Sequence, residues 1–437
     1  MNRNPVEQYL SQYQVNPAAA HAAWLLQQQS EAVSHIRKNG FPTRRMEDWK
    51  YTDVQPILKF DFNFDTASNV TTSKLTDTIE GLDCYRLVFL NGRLVHGDTI
   101  TGDGIVVKTL HQAIVSDSKL LQSHLNRYAT AGKSSFIDLN TAFMQDGCLI
   151  KLDDKAVLDK PLNLIYLSDQ QASPFASNPR NLLVLGKHAR ATVIETYSGT
   201  DTAEYFTNTI TEISLDHGAE LEHYKLQQEG ALGFHIGNTQ VEQKRDSRFV
   251  SHSISLGGKL ARNDIEVRLT EAGSETVLNG LYIAGQSQHV DNHTRIDHIS
   301  PHTSSNETYR GILSGRARAV FNGKVIVHKD AQKTNAHQSN ANLLLSNDAE
   351  IDTKPELQIH ADDVKCSHGT TVGQLDENML YYLRTRAIPE KLARSLLTFA
   401  FASDVISRMG LAPFRQLLQQ RVVGHLPDAD MIKEFIQ

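Results

Sequence analysis

From about residue 180 to 375 the chain repeats one pattern: an apolar end, a small or polar turn, then a strand of alternating side chains. The units are LGKHARATVIETY, LDHGAELEHYKL, RDSRFVSHSISLGG, EAGSETVLNGLYIAG, LSGRARAVFNGKVIV and LSNDAEIDTKPELQIHADD. Turns recur roughly every 30 residues, with one longer gap near 285–310. Regular short strands without long helices between them exclude a doubly wound α/β domain. A solenoid of stacked strands is favoured over a β-sandwich, because each unit can bury its apolar face only against its neighbours.

The flanks read differently. Residues 1–75 form an N-terminal helical region and linker. Asn16-Pro17 is a helix start, AAAHAAWLLQQQSEAVSHIRKNG a helix body, and Gly40 a helix stop. GFPTRRMEDWKYTD is a turn leading to Trp49 and Tyr51, and DFNFDTASNVTTSKLTDT is a polar linker. The β core spans 76–375 and opens with RLVFLNGRLV, GIVVKTL, CLIKL and PLNLIYL. A helical insertion near 110–130, LHQAIVSDSKLLQSHLNRYAT, interrupts them. Residues 376–437 form a C-terminal helical domain. Asp376 caps its first helix, with Met379, Leu380 and Leu383 on one side. Pro389, Pro413 and Pro427 open three more. These helices carry basic residues, among them Arg384, Arg386, Lys391, Arg394, Arg408, Arg415 and Arg421. They read as a cap on the solenoid end, as a docking face for a partner, or as both.

Composition narrows the function. Over 437 residues the net charge is −6, which carries no nucleic-acid or anionic-membrane footprint. No apolar run approaches the roughly 18 residues needed to cross a bilayer. MNRNPVEQYLSQYQ lacks the apolar core of a signal peptide. Three distant cysteines, Cys84, Cys148 and Cys366, make no disulfide framework and suit a reducing cytoplasm.

The stretch richest in chemistry is Val364 to Asp376, VKCSHGTTVGQLD. On a strand Cys366 and His368 point to one face. A thiolate beside an imidazole is a metal-ligand pair. Gly369 and Gly373 suit a tight backbone path or the close approach of another chain. Other candidates are weaker. Cys84 and Cys148 sit in apolar strand contexts and read as buried structural thiols. His289, His293, His298 and His302 are broken by Pro301 and lack the helical spacing of a zinc motif; they are assigned to turns or the solenoid surface. AGKSS at 131–135 mimics half a phosphate-binding loop but has Arg127 where the first glycine belongs.

Four stretches together resemble the SufB/SufD family of iron–sulfur cluster assembly scaffolds, and its SufD branch in particular. They are GFPTRRMEDWKYTD, RIDHISPHTSSNETYRGIL, FNGKVIVHKDAQKTNAHQSNANLLLS and KPELQIHADDVKCSHGTTVGQLDENMLYYLRTRAI. The resemblance implies a mainly β chain with a right-handed parallel β-helix core between N- and C-terminal helices. It implies a non-catalytic scaffold that pairs with SufB through the β-helix end and binds the SufC ABC-type ATPase through its C-terminal helices. Sulfur would arrive indirectly from a cysteine desulfurase, and an isolated chain could form a homodimer. Cys366 and His368 fall on the family's interface cysteine and histidine, with the histidine as cluster ligand. No cofactor is expected to be tightly bound, only a transient iron–sulfur cluster in the complex. A four-iron cluster takes about four ligands, mostly thiolates, so one thiol and one imidazole need a partner to complete the set. Two alternatives stand beside this. One is a β-helix enzyme acting on carbohydrate, which would want clustered carboxylates and a secretory signal. The other is a thiol enzyme with Cys366 as nucleophile and His368 as base.

Overall fold

Each repeat unit supplies two strands rather than one, and the two go to different sheets. The computed structural model describes residues 4–14, 22–64, 79–169 and 173–426. In it, strands that follow one another in the chain alternate between two stacked sheets. His289–His298 lies in one sheet and Ser304–Leu313 in the other, and the next pair, Arg318–Val327 and Asn335–Leu344, stacks on them. The pairing along the stack is parallel. The result is a mainly β solenoid of about eight turns with helices at both flanks. The segment near 285–310 that looks like an enlarged spacing is itself a full turn. Its polar side chains hide the alternation that marks its neighbours.

Register shows why the repeat is loose. Phe234 pairs with Leu260, an offset of 26 residues, while Arg318 pairs with Glu350, an offset of 32. Ladder pairing fixes the strands, and the corners absorb the difference in length. One corner repeats a left-handed residue in every turn, including Gly218 (φ +64°), Asp246 (φ +54°), Gly273 (φ +77°), His302 (φ +57°) and Lys333 (φ +62°). Backbone bonds stack these corners: Gly218 N–H donates to Arg245, Asp246 N–H to Ala272, and Gly273 N–H to His302. A Cβ at Gly273 would sit 1.9 Å from Asp246 Oδ1, so both conformation and space demand glycine there.

Inward side chains from both sheets form one core running along the solenoid, from Phe89 and Cys148 to Ala349 and Ala361. The outer faces are covered by helices from opposite ends of the chain. On one sheet, Ala32, Ile36, Trp49, Phe62 and Phe136 pack against Phe206, Phe234 and Leu260. There the motif EDWKYT is clamped. The Arg262 guanidinium lies 3.8 Å from the Trp49 ring centre, donates to the Asp48 carbonyl (2.6 Å) and pairs with Asp291 (2.9 Å). Thr52 donates to Asp291 at 2.5 Å. The helix Ala23–Asn39 ends at Gly40 (φ +69°) as its sequence indicates. The Asn16-Pro17 start, most of the polar linker and the Pro427 helix lie outside the described residues.

On the other sheet, Ala402, Val405, Ile406, Phe414 and Leu418 cover Ile194, Tyr224, Ile254, Leu281 and Ile312. The C-terminal helices Glu377–Thr385, Glu390–Ile406 and Ala412–Gly424 thus lie along the side of the solenoid. They do not cap its end, because the apolar stripe of Glu390–Ile406 finds its complement on the lateral sheet face. Asp376 caps the first of them, accepting from Asn378 N–H. Met379, expected on its apolar side, is 55% exposed, whereas Leu380 is buried. Tyr224 pins the helices: its hydroxyl accepts from the N–H groups of Gly410 and Leu411, both at 3.1 Å. Tyr224→Phe should orphan both donors and destabilise by about 1–3 kcal/mol. Faster amide exchange at 410 and 411, with exchange in the distant strands unchanged, would show it.

Candidate functional site

The last strand of one sheet is Lys365–Gly373, and it carries both residues that the sequence singles out. Its sheet neighbour is Asn335–Leu344, in parallel register, with Cys366 opposite Ala336 and His368 opposite Gln338. Among the described residues no strand pairs with its other edge, so a row of backbone N–H and C=O groups faces outward. The neighbour's alternation fixes the facing. Ala336, Gln338 and Asn340 are buried, while Asn335 and His337 are exposed. Ser367 bonds the exposed His337 ring at 2.9 Å, so Cys366 and His368 turn the other way, toward the solenoid axis.

Cys366 is half-buried and packs against the end of the main core. That burial raises its thiol above the ordinary cysteine value, so it enters any metal chemistry as a thiol with a proton to lose. His368 is exposed, because no further turn stacks on the rim. Thr370, two residues on, bonds Thr353 of Glu350–Ile359 at 3.0 Å and closes the two sheets over the core. Gly369 and Gly373 are not in a tight path: a Cβ at either would meet nothing within 4 Å, and neither has positive φ. Space beside them is open for another chain. Among the described residues no group of three or more His, Cys, Asp and Glu is arranged to hold a metal ion.

Other sequence candidates find different homes. Cys148 is fully buried in the core, but Cys84 is only half-buried, just before the strand Tyr85–Leu90 begins. His289, His293 and His298 stand on a strand rather than in turns, and only His302 is a corner residue. His298 is buried between the Thr303 and Ser305 hydroxyls (2.7 and 2.9 Å), and this burial lowers its pKa to about 4. At AGKSS the polar groups are committed to the helix Ser135–Phe143: Ser134 caps it, and Gly132 N–H donates to Asp138 at 2.8 Å. Sequence reasoning passes over Gln338 and Glu307, which lie one and two rungs beneath His368. Their only signal is that NETYR and HQSNAN place polar residues at inward positions of alternating strands.

Comparison with known proteins agrees with this architecture. Residues 166–401 match the family described as SUF system FeS cluster assembly, SufBD core domain, and residues 3–164 match the SufBD protein N-terminal region.

The chain belongs to the SufBD family.

It is 33% identical over 400 residues to an iron–sulfur cluster assembly SufBD family protein of Synechocystis, covering 87% of this chain and 86% of that one. It is 31% identical over 404 residues to the iron–sulfur cluster assembly protein SufD of Escherichia coli, covering 92% and 93%. SufD of Bacillus subtilis is 23% identical over 64% of each chain. The chain is therefore a SufD-like member of the SufBD family, a family of iron–sulfur cluster assembly. That membership does not favour a carbohydrate-active β-helix enzyme. No helix among the described residues is long and apolar enough to cross a membrane.

Proposed function

We propose that this chain is a non-catalytic scaffold whose open solenoid rim supplies part of the ligand set for a nascent iron–sulfur cluster, with a SufB-type partner supplying the rest. One observation carries the reading. Cys366 and His368 share one face of an unpaired edge strand at the C-terminal end of the described turns, where a second chain can continue the sheet. Joining edges in this way would bring the partner's ligands to the same rim. The cluster is cargo, and mixed Cys/His ligation holds it less firmly than four thiolates, as a donor scaffold requires.

Docking of a SufC-type ATPase is assigned to the C-terminal helices. Tyr381 and Tyr382 on Glu377–Thr385 are 70% and 55% exposed, beside Met379 and the rim residue Val372. Exposed aromatics of this kind suit a protein interface. Sulfur delivery by a cysteine desulfurase and a homodimer of the isolated chain belong to the same reading.

Co-expression with SufB- and SufC-type partners, followed by iron and sulfide analysis of the purified complex, tests it. With His368→Ala the complex should stay intact while cluster content falls by on the order of tenfold. Cys366→Ser should lower it less, since this thiol is partly spent on core packing. An unchanged yield in His368→Ala would remove the imidazole from the mechanism.

A further inference from the structure

Beneath His368 the solenoid interior is not apolar. Ladder register stacks one inward column from turn to turn: Leu278, Glu307, Gln338, His368. Glu307 is 1% exposed and Gln338 fully buried. Gln338 Nε2 donates to Glu307 Oε2 at 2.7 Å. This bond decides which way the amide faces. With its NH2 end committed inward, its carbonyl end is left over, and Gln338 Oε1 is buried without a partner in the chain. An orphaned buried carbonyl costs about 1–3 kcal/mol, so its position needs a reason. The site is also cut to fit the amide. Across the core stands Gly323, where a Cβ would lie 2.1 Å from Gln338 Nε2. Any other residue there would expel the glutamine side chain from its place.

We propose that Gln338 is a positioning residue for His368: its side-chain carbonyl, held by the bond to Glu307, accepts the His368 ring N–H and fixes which ring nitrogen is free to bind iron. The inference rests on the reading of His368 as a ligand and deepens it. In-register residues on neighbouring strands lie about 4.8 Å apart and project to the same face. The structure leaves this pair unbonded, but rotation of the exposed imidazole about its own side-chain bonds can bring its N–H to the amide oxygen at ordinary hydrogen-bond length, about 2.9 Å. A metal-binding histidine needs a partner of this kind, because the nitrogen that donates its proton elsewhere leaves the other lone pair free. Glu307 keeps the arrangement in either charge state. A proton on Oε1 still leaves Oε2 to accept from the amide.

The test uses the full chain without partners or metal. Histidine is labelled with ¹⁵N, His368 is identified among the 19 histidines by its loss in His368→Ala, and long-range ¹H–¹⁵N couplings report its tautomer. The wild-type ring should hold one tautomer. Gln338→Met, which keeps the shape and removes the amide, should give the two-tautomer mixture of a free imidazole. Glu307→Leu should do the same by releasing the amide to rotate, and it provides the test if Gln338→Met does not fold. In the partnered complex, Gln338→Met should lower cluster content by on the order of tenfold. A wild-type ring that is already mixed, or one that both variants leave unchanged, overturns the proposal. Because the couplings need no cluster, they separate its failure from failure of His368 as a ligand, which the iron and sulfide yield of His368→Ala reports alone.

Discussion

Glu212→Ala is expected to cost about 3–5 kcal/mol of folding stability. Arg180 and Glu212 are both fully buried, with Nη2 and Oε1 2.6 Å apart. The carboxylate also accepts from Arg180 Nε (3.2 Å) and from the backbone N–H groups of Asn126, Tyr128 and Ala129 (2.8, 2.9 and 3.0 Å). The guanidinium in turn donates to the side-chain carbonyls of Asn126 and Asn140 (2.6 and 3.2 Å). This network joins the inserted helices to the solenoid. Removing the carboxylate strands a buried cation and three backbone donors at once, and alanine can satisfy none of them. Guanidinium unfolding would show the midpoint shift. The double variant Arg180→Met with Glu212→Leu should recover much of the loss on the arginine side, because it removes the stranded charge. A loss below about 1 kcal/mol in the single variant would mean that water reaches the site and screens the pair.

Glu307→Gln is expected to act in the opposite direction and only above acidic pH. Burial without a cationic partner raises this carboxyl to about 7, against 4.5 when unperturbed, although Gln338 bonds to it. Between those values the folded chain holds a proton that the unfolded chain has released. Stability from this group is therefore fully present below about pH 4.5 and is lost as pH rises through 7. The difference corresponds to roughly 3 kcal/mol. The neutral amide carries no such penalty, so the variant should be more stable than wild type by about that amount at pH 8 and nearly equal to it at pH 4. Urea midpoints at the two pH values measure this, and the background titration of every other group cancels in the comparison. A gain of the same size at both would show that the carboxyl is not the titrating group. A residue that weakens the fold at neutral pH, sited two rungs under the rim histidine and bonded to the amide between them, is what a functional demand on that position looks like.

The solenoid was legible because alternation and turn spacing survive any change of register. A strand needs period two and a corner needs a residue that tolerates left-handed backbone, and both are local. Where polar residues occupy the inward positions, as in HVDNHTRIDH, the pattern vanishes and a full turn reads as a gap. The Cys366 and His368 pair was legible for the same local reason, since residues two apart on a strand share a face whatever surrounds them. Its surroundings were not. Nothing in KCSHG says that Gln338 and Glu307 lie below it, for they are 30 and 61 residues away in the chain. Nor could an apolar stripe on Glu390–Ile406 tell whether it covers an end or a side, because the stripe specifies burial and not the surface that provides it.

By itself, then, the sequence determined the repeating strand, the capped helices and the side-by-side thiol and imidazole, since each depends on neighbours within a few residues. Tertiary structure alone decided that the C-terminal helices leave the end open, that an acid and an amide stack under the histidine, and which end of that amide the acid takes up. Those outcomes depend on ladder register and on competition for buried surface, and both are summed over the whole stack rather than written in any one turn.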